Sequence, residues 1–213
     1  MENIKGVIFD LDGVLVFTDL FHFQAWKTIA DRIGARFTQR DNDRLRGVSR
    51  MESLEIVLEK YAGPPLAYEE KLALAAEKNS LYRRLLSQMS SDDVTDEVRD
   101  TLRALRERGL RLAVGSSSKN ARYILERTGL TDYFDAVSDG TNITKSKPDP
   151  EVFLKAAEFL GLAPSDCLVV EDAYAGIEAA KAGNMTAAAI GAAVTSPLAD
   201  IRLDCLSRLL DVV

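Results

Sequence analysis

The sequence is poor in the residues that build disulfide frameworks and zinc sites. It has two cysteines, Cys167 and Cys205, without C-x-x-C spacing, and a single histidine, His22. Neither a disulfide framework nor a zinc site is therefore expected. Because sparse cysteine is typical of reducing compartments, we expect the protein in the cytoplasm.

Long apolar runs and an excess of positive charge are also missing. No apolar run approaches the roughly 18 residues that cross a membrane. A strand-like segment begins within a few residues of the first methionine, so no signal peptide is expected. The formal net charge of −6 argues against a nucleic-acid partner. We expect a monomer that binds neither membranes nor nucleic acids.

Short apolar runs alternate with helical patterns along most of the chain. The strand-like runs lie at residues 5–9, 110–114, 136–137, 167–170 and 185–190. Helical spacing covers residues 93–108, 119–128, 151–160 and 175–182. Strands that alternate with helices predict an α/β fold with a parallel sheet, and the near-continuous apolar strands predict helices on both of its faces.

Residues 16–89 break this alternation. They contain no convincing strand, and apolar residues recur at helical spacing over 19–33, 50–61 and 68–89. We therefore predict an all-helical insert, called the cap below, in a core made of residues 1–15 and 90–213. An insert placed directly after the first strand would lie over the carboxyl ends of the strands, where open α/β sheets bind ligands.

The first strand ends in two acidic residues. Asp10 and Asp12 follow the apolar run, and Gly13 comes next. Side chains two apart leave a strand on the same side, so both carboxylates start together. Such a pair is electrostatically costly unless a cation lies between them. The pattern fits a metal-dependent phosphoryl-transfer site or, alternatively, a solvated Asp-Gly turn.

Three further polar motifs follow other strands. The run Ser116-Ser117-Ser118 offers hydroxyls and backbone N–H groups at a helix start, which suits a phosphate, although a plain helix cap needs only one serine. Lys147, before Pro148, could neutralise phosphoryl oxygens or merely lie in a loop. The pair Glu171-Asp172 offers hard oxygen ligands for Mg²⁺ or, alternatively, a favourable charge at a helix start.

In a parallel sheet all these strand ends lie at one edge, and chance placement of four such motifs there is improbable. The set resembles the four motifs of the haloacid dehalogenase superfamily, with this order: Asp10-Leu11-Asp12-Gly13-Val14, Ser116-Ser117-Ser118, Lys147-Pro148, Glu171-Asp172. The resemblance implies a Rossmann-like core and Mg²⁺ as cofactor.

The resemblance also implies the role of each motif. Asp10 would be the nucleophile that becomes an aspartyl phosphate, and Asp12 the general acid and base. Mg²⁺ would be held by Asp10, the Asp12 backbone carbonyl and either Glu171 or Asp172. The ammonium of Lys147 would screen charge, and Ser116 would hold the transferring phosphoryl group.

A second set of residues is similar to the β-phosphoglucomutase subfamily and extends over nearly the whole chain. It comprises Thr18, His22-Phe23, Ala25-Trp26, Gly47-Val48-Ser49-Arg50, Ser53, Lys78-Asn79 and Ser118-Lys119-Asn120. This likeness implies a four-helix cap, whose Gly-Val-Ser-Arg loop binds the sugar and a distal phosphate. Arg50, Ser118 and Asn120 would hold that phosphate, and His22 would link the cap to Asp12 through a hydrogen bond.

The subfamily resemblance implies interconversion of β-D-glucose 1-phosphate and glucose 6-phosphate through β-glucose 1,6-bisphosphate. A sugar-phosphate phosphatase on the same scaffold is the first alternative, and a catalytically silent sugar-phosphate-binding protein is the second. The chain departs from the subfamily at Phe17, where relatives commonly have Asp, and at Asp96-Glu97, where they tend to have Pro-Gly.

Overall fold

The computed structural model describes residues 4–213. Within them, six parallel strands form one sheet in the order β3-β2-β1-β4-β5-β6. The strands are β1 Gly6–Phe9, β2 Arg111–Gly115, β3 Ala136–Ser138, β4 Cys167–Glu171, β5 Thr186–Ala189 and β6 Ile201–Arg202. The expected α/β class and parallel sheet are confirmed.

The strand register determines which residues reach the carboxyl edge. In β1, Phe9 lies opposite Val114 of β2 and Val170 of β4. Because all three strands run the same way, the residues directly after them leave the sheet side by side. Asp10, Ser116 and Asp172 are therefore neighbours by topology, which is the juxtaposition that the sequence predicts.

Helices cover both faces of the sheet. The core helices are α5 Asp96–Glu107, α6 Ala121–Thr128, α7 Glu151–Leu160 and α8 Tyr174–Ala182. Alternating strand residues divide the apolar core: Phe9 packs with α5 and α6, whereas Ile8 packs with α7 and α8. Burial on both faces explains why each strand is nearly all apolar.

The cap contains four helices, as expected: α1 Asp19–Ile33, α2 Gln39–Asp43, α3 Arg50–Leu58 and α4 Tyr68–Leu86. Its own apolar core includes Trp26, Ile29, Leu54 and Val57. Helix α2 has only five residues, too few for a helical period to be visible in the sequence. It is held by a capping box in which Thr38 and Asp41 satisfy each other's backbone groups.

Several element boundaries differ from the sequence-based expectation. Helix α5 begins at Asp96 rather than residue 93, because Thr95 caps it by accepting a hydrogen bond from the Val98 N–H over 3.3 Å. Strand β6 was not predicted, because a strand of two residues is too short to show a recognisable pattern of apolar residues. Short 3₁₀ turns occupy Ser91–Asp93, Thr131–Tyr133, Pro164–Asp166, Gly191–Thr195 and Leu206–Asp211.

No helix within residues 4–213 combines the length and apolar character needed to cross a membrane.

Candidate active site

Asp10 and Lys147 form the buried centre of the site. The Asp10 N–H donates to the Val170 carbonyl over 2.9 Å, which places its side chain at the end of β1. The Lys147 ammonium, only 2% exposed, donates to Asp10 Oδ1 over 2.5 Å and to Glu171 Oε2 over 2.7 Å. Burial lowers the pKa of an ammonium, but the two carboxylates outweigh it and raise the pKa of Lys147 above its usual value. Three of the four motifs therefore meet here.

The acidic residues at this edge have the donor set of a divalent-cation site. One carboxylate oxygen each from Asp10, Glu171 and Asp172 lies within 4.8 Å of the others, and all three residues are buried. Burial and the charge of Asp10 raise the pKa of Glu171 and of Asp172. Lys147 supplies one positive charge against three carboxylates, so this all-oxygen set fits a hard cation such as Mg²⁺.

The turn after β1 brings Asp12 beside the other acids. Gly13 has a φ of +89°, and a Cβ built on it would overlap Asp172 Oδ2. Only glycine combines the left-handed conformation with this close approach. The Gly13 N–H donates to the Val16 carbonyl over 2.7 Å and closes the turn.

The Asp12 carboxylate is held from the cap side. The Thr18 hydroxyl donates to Asp12 Oδ1, and Thr18 Oγ1 lies 2.9 Å from the Tyr82 hydroxyl of α4. Burial, with smaller contributions from Asp10 and Asp172, raises the pKa of Asp12 to about 7, although the Thr18 hydrogen bond opposes the shift. A carboxyl with this pKa can both give and take a proton near neutral pH.

The serine run after β2 forms a tight loop. Ser116 is buried, and its Oγ accepts from the Ser118 N–H over 3.2 Å, while Ser118 Oγ accepts from the Asn120 N–H over 3.2 Å. Ser117 Oγ is buried and has no hydrogen-bond partner among residues 4–213. Lys119 is exposed at the start of α6. The loop therefore uses two hydroxyls to shape itself and leaves Ser117 Oγ unpaired.

Lys78 of α4 is a buried cation in the cap. Its Nζ lies 2.8 Å from His22 Nδ1 and over the rings of Trp26 and Tyr82, at 5.0 and 4.4 Å from their centroids. Burial and Arg50 lower the pKa of Lys78 to about 7, with Asp12 opposing. Burial and the cations Lys78 and Arg50 also lower the pKa of His22. The predicted hydrogen bond from His22 to Asp12 is not made: His22 contacts Lys78, and Thr18 bonds Asp12.

The cap loop before α3 lies directly against the core. A Cβ on Gly47, whose φ is +76°, would be 3.8 Å from Lys147 Cδ and 3.8 Å from Ala175 Cβ. Ser49 caps α3, since its Oγ accepts from the Glu52 N–H over 3.3 Å. The other predicted residues of this segment are Val48 and Arg50, which are half-buried, and Ser53, which is buried.

The structure thus gathers the predicted residues into two neighbouring groups. Asp10, Asp12, Lys147, Glu171 and Asp172 form the acidic centre, and Lys78 and Arg50 lie with His22 in the cap. Two further residues of α4, Tyr82 and Arg83, belong to the site although the sequence did not predict them. The only signal for them was helical spacing: Lys78 and Tyr82, like Asn79 and Arg83, are four residues apart on α4.

The chain is similar to known proteins over most of its length. The chain matches the haloacid dehalogenase-like hydrolase family over residues 4–184. It is 42% identical over 190 residues to a β-phosphoglucomutase of Bacillus subtilis, covering 88% of this chain and 84% of that protein. A phosphorylated carbohydrates phosphatase of Thermotoga maritima is 31% identical over 184 residues, covering 85% of this chain and 82% of the relative. The crystal structure of a β-phosphoglucomutase from Clostridium difficile matches with a TM-score of 0.90 and 34% identity, over 97% of this chain and 93% of that one.

Proposed function

The chain belongs to the haloacid dehalogenase-like hydrolase family, and from this premise we propose that it is a β-phosphoglucomutase. It would interconvert β-D-glucose 1-phosphate and glucose 6-phosphate through an aspartyl-phosphate enzyme and β-glucose 1,6-bisphosphate. The similarity to the Bacillus subtilis and Clostridium difficile mutases supports this activity.

One structural observation carries the proposal beyond family membership. Lys78 and Arg50 lie close enough together that the positive charge of Arg50 lowers the pKa of Lys78. Neither forms an ion pair with a carboxylate within the described part of the chain. An anion bound beside Arg50 and Lys78 would stabilise the guanidinium and the protonated form of Lys78. With Lys147 at the acidic centre, the site then has positive charge for both phosphoryl groups of a bisphosphate.

The chemistry begins at Asp10. Its carboxylate would attack phosphorus and the P–O bond to the sugar would break, leaving an aspartyl phosphate. Asp12 would give its proton to the departing sugar oxygen and take one from the hydroxyl that later receives the phosphoryl group. Lys147 would screen the charge of the transferring group, and Ser116 would hold it.

Asp10, the Asp12 backbone carbonyl and Glu171 or Asp172 would hold Mg²⁺. When bound, the ion supplies Lewis-acid charge stabilisation to the transferring phosphoryl oxygens.

The cap would decide which acceptor receives the phosphoryl group. We propose residues 16–89 as the cap and 1–15 with 90–213 as the core. A Cβ added to Gly47 would lie 3.8 Å from side-chain atoms of Lys147 and Ala175, so a cap this close to the core would limit access of water to Asp10. Exclusion of water favours transfer to a sugar hydroxyl over hydrolysis.

A sugar-phosphate phosphatase is the second candidate, favoured by the Thermotoga maritima relative. It differs from the mutase only in the acceptor, which would be water. A catalytically silent sugar-phosphate-binding protein is the third candidate, and the complete set of Asp10, Asp12, Lys147, Glu171 and Asp172 argues against it.

The deciding assay supplies β- and α-glucose 1-phosphate separately, with Mg²⁺ and a trace of β-glucose 1,6-bisphosphate. We expect glucose 6-phosphate from the β anomer only, with little free phosphate. Stoichiometric phosphate release without glucose 6-phosphate would establish the phosphatase instead, and no turnover of either kind would leave the binding protein.

A further inference from the structure

Asn120 is a predicted ligand of the distal phosphate. Both its side-chain nitrogen and its side-chain oxygen form hydrogen bonds with the cap. Asn120 is 5% exposed and directly precedes α6. Its Nδ2 donates to Asn79 Oδ1 over 3.0 Å, and its Oδ1 accepts from Arg83 Nη1 over 3.2 Å. Asn79 and Arg83 are four residues apart on α4, so one helix face holds the amide.

Arg83 is the partner that determines which way this amide points. A guanidinium has donors only, so the Asn120 oxygen must face it and the NH₂ group must face away. Asn79 cannot set the direction by itself, because its own amide can turn to offer either oxygen or NH₂. With the oxygen fixed by Arg83, one N–H of Asn120 bonds Asn79, and the other has no acceptor within residues 4–213.

Arg83 is itself held in place although it is exposed. Its guanidinium carbon lies 4.4 Å from the centroid of the Tyr123 ring on α6, a cation–π contact that restricts its side chain. No carboxylate in the described part of the chain forms an ion pair with it. Its planar group is therefore free to donate to Asn120 rather than to an acid.

We propose that Arg83 is a positioning residue for the distal phosphoryl group of a hexose bisphosphate. It keeps the Asn120 carboxamide turned so that its remaining N–H faces the ligand. The inference rests on the proposed function, because Asn120 has this ligand only if the enzyme binds a bisphosphate.

The test measures binding without turnover. β-Glucose 1,6-bisphosphate is titrated calorimetrically, with Mg²⁺ present, into Asp10→Asn and into the same protein carrying Arg83→Ala. Loss of one fixed hydrogen bond should weaken binding about fivefold. The matched control is Arg84→Ala, which removes the same charge one residue away from an exposed side chain without a hydrogen bond in the described residues. We expect it to change the dissociation constant by less than about twofold.

Two further variants separate positioning from simple charge. In an Asn120→Ala background, Arg83→Ala should have no additional effect, because the amide that it orients is gone. Arg83→Lys keeps the charge but lacks the planar fork, so it should restore only part of the affinity.

The outcomes separate this role of Arg83 from the proposed function. If Asp10→Asn binds the bisphosphate and Arg83→Ala binds it equally well, the role of Arg83 is wrong and the proposed function stands. The role is also wrong if Arg83→Ala weakens binding equally in the Asn120→Ala background, or if Arg83→Lys restores affinity completely. If Asp10→Asn binds no bisphosphate, both the proposed function and this inference fail.

Discussion

The candidate site contains buried charged side chains that its own residues do not fully neutralise. At the acidic centre, carboxylates outnumber the one buried ammonium, whereas under the cap Lys78 is 3% exposed and has no carboxylate partner in the described residues. Unpaired buried charges cost free energy in the ligand-free protein, so they point to ligands of opposite charge. We infer a cation between the acids and an anion beside Lys78.

The nucleophile is the most direct target among single residues. Asp10→Asn should lower kcat for β-glucose 1-phosphate at least about a thousandfold, because an amide oxygen does not form the acyl phosphate. Far-UV circular dichroism and the thermal unfolding midpoint should stay near those of the unaltered protein. The exposed Asp43→Asn should retain full activity, and turnover at the original rate in Asp10→Asn would exclude Asp10 as the nucleophile.

Lys78 provides a pH-dependent prediction. Its pKa is lowered to about 7 in the folded protein but is near 10.5 when unfolded, so folding expels a proton between these pH values. Lys78→Met should therefore raise the free energy of unfolding, by about 1 kcal/mol or more at pH 7. This gain should shrink as the pH rises toward 10, where the unfolded lysine also loses its proton.

Urea unfolding at several pH values measures this effect, with the surface variant Lys27→Met as the control. The same substitution should abolish binding of the sugar phosphate, a separation of stability from function that is typical of active sites. A stability difference that does not vary between pH 7 and 10 would contradict the lowered pKa.

At the scale of elements, turns and caps position the chemistry. The turn from Asp10 to Val16 delivers Asp12, and its geometry depends on Gly13. The capping box of Ser49 and Glu52 fixes the start of α3, whose first residue is Arg50. The charge of Arg50 acts on Lys78 of α4. The acidic turn is such a local motif and could be predicted from the sequence, whereas the Gly47–Arg50 loop was predicted only from the subfamily resemblance.

Gly13→Ala tests the turn. The substitution adds left-handed strain and places a methyl group against Asp172, so it should lower the free energy of unfolding by about 2 kcal/mol or more and reduce activity strongly. Gly34→Ala is the matched control: its φ is +72°, but nothing lies within 4 Å of the added Cβ. It should cost only about 1 kcal/mol. Equal losses by urea unfolding would show that the contact with Asp172 is unimportant.

At the scale of the whole molecule, the cap and the core each contribute part of one site. The core carries the acidic centre, and the cap carries Lys78 and Arg50. Thr18 and Arg83 join the two, through Asp12 and Asn120 respectively. We therefore expect cap variants to affect substrates that engage both parts and to spare those that engage only the core.

Arg50→Ala tests this division. It should lower kcat/KM for the mutase reaction at least about tenfold, because a charged hydrogen bond to the distal phosphate is lost. Hydrolysis of p-nitrophenyl phosphate should change by less than about twofold. The exposed Arg40→Ala on α2 should affect neither reaction. Equal losses with both substrates would argue against a distal-phosphate contact at Arg50.

The α/β core, the helical cap and the acidic centre could be predicted from local patterns along the chain. Apolar periods identify strands and helices, and parallel strands place Asp10, Ser116 and Glu171 at one edge whatever the details of packing. Three contacts could not be predicted in this way: Lys78 with His22, Thr18 rather than His22 with Asp12, and Arg83 with Asn120. These contacts join cap and core elements or different helices, so they depend on how whole helices pack, which no local spacing in the chain records.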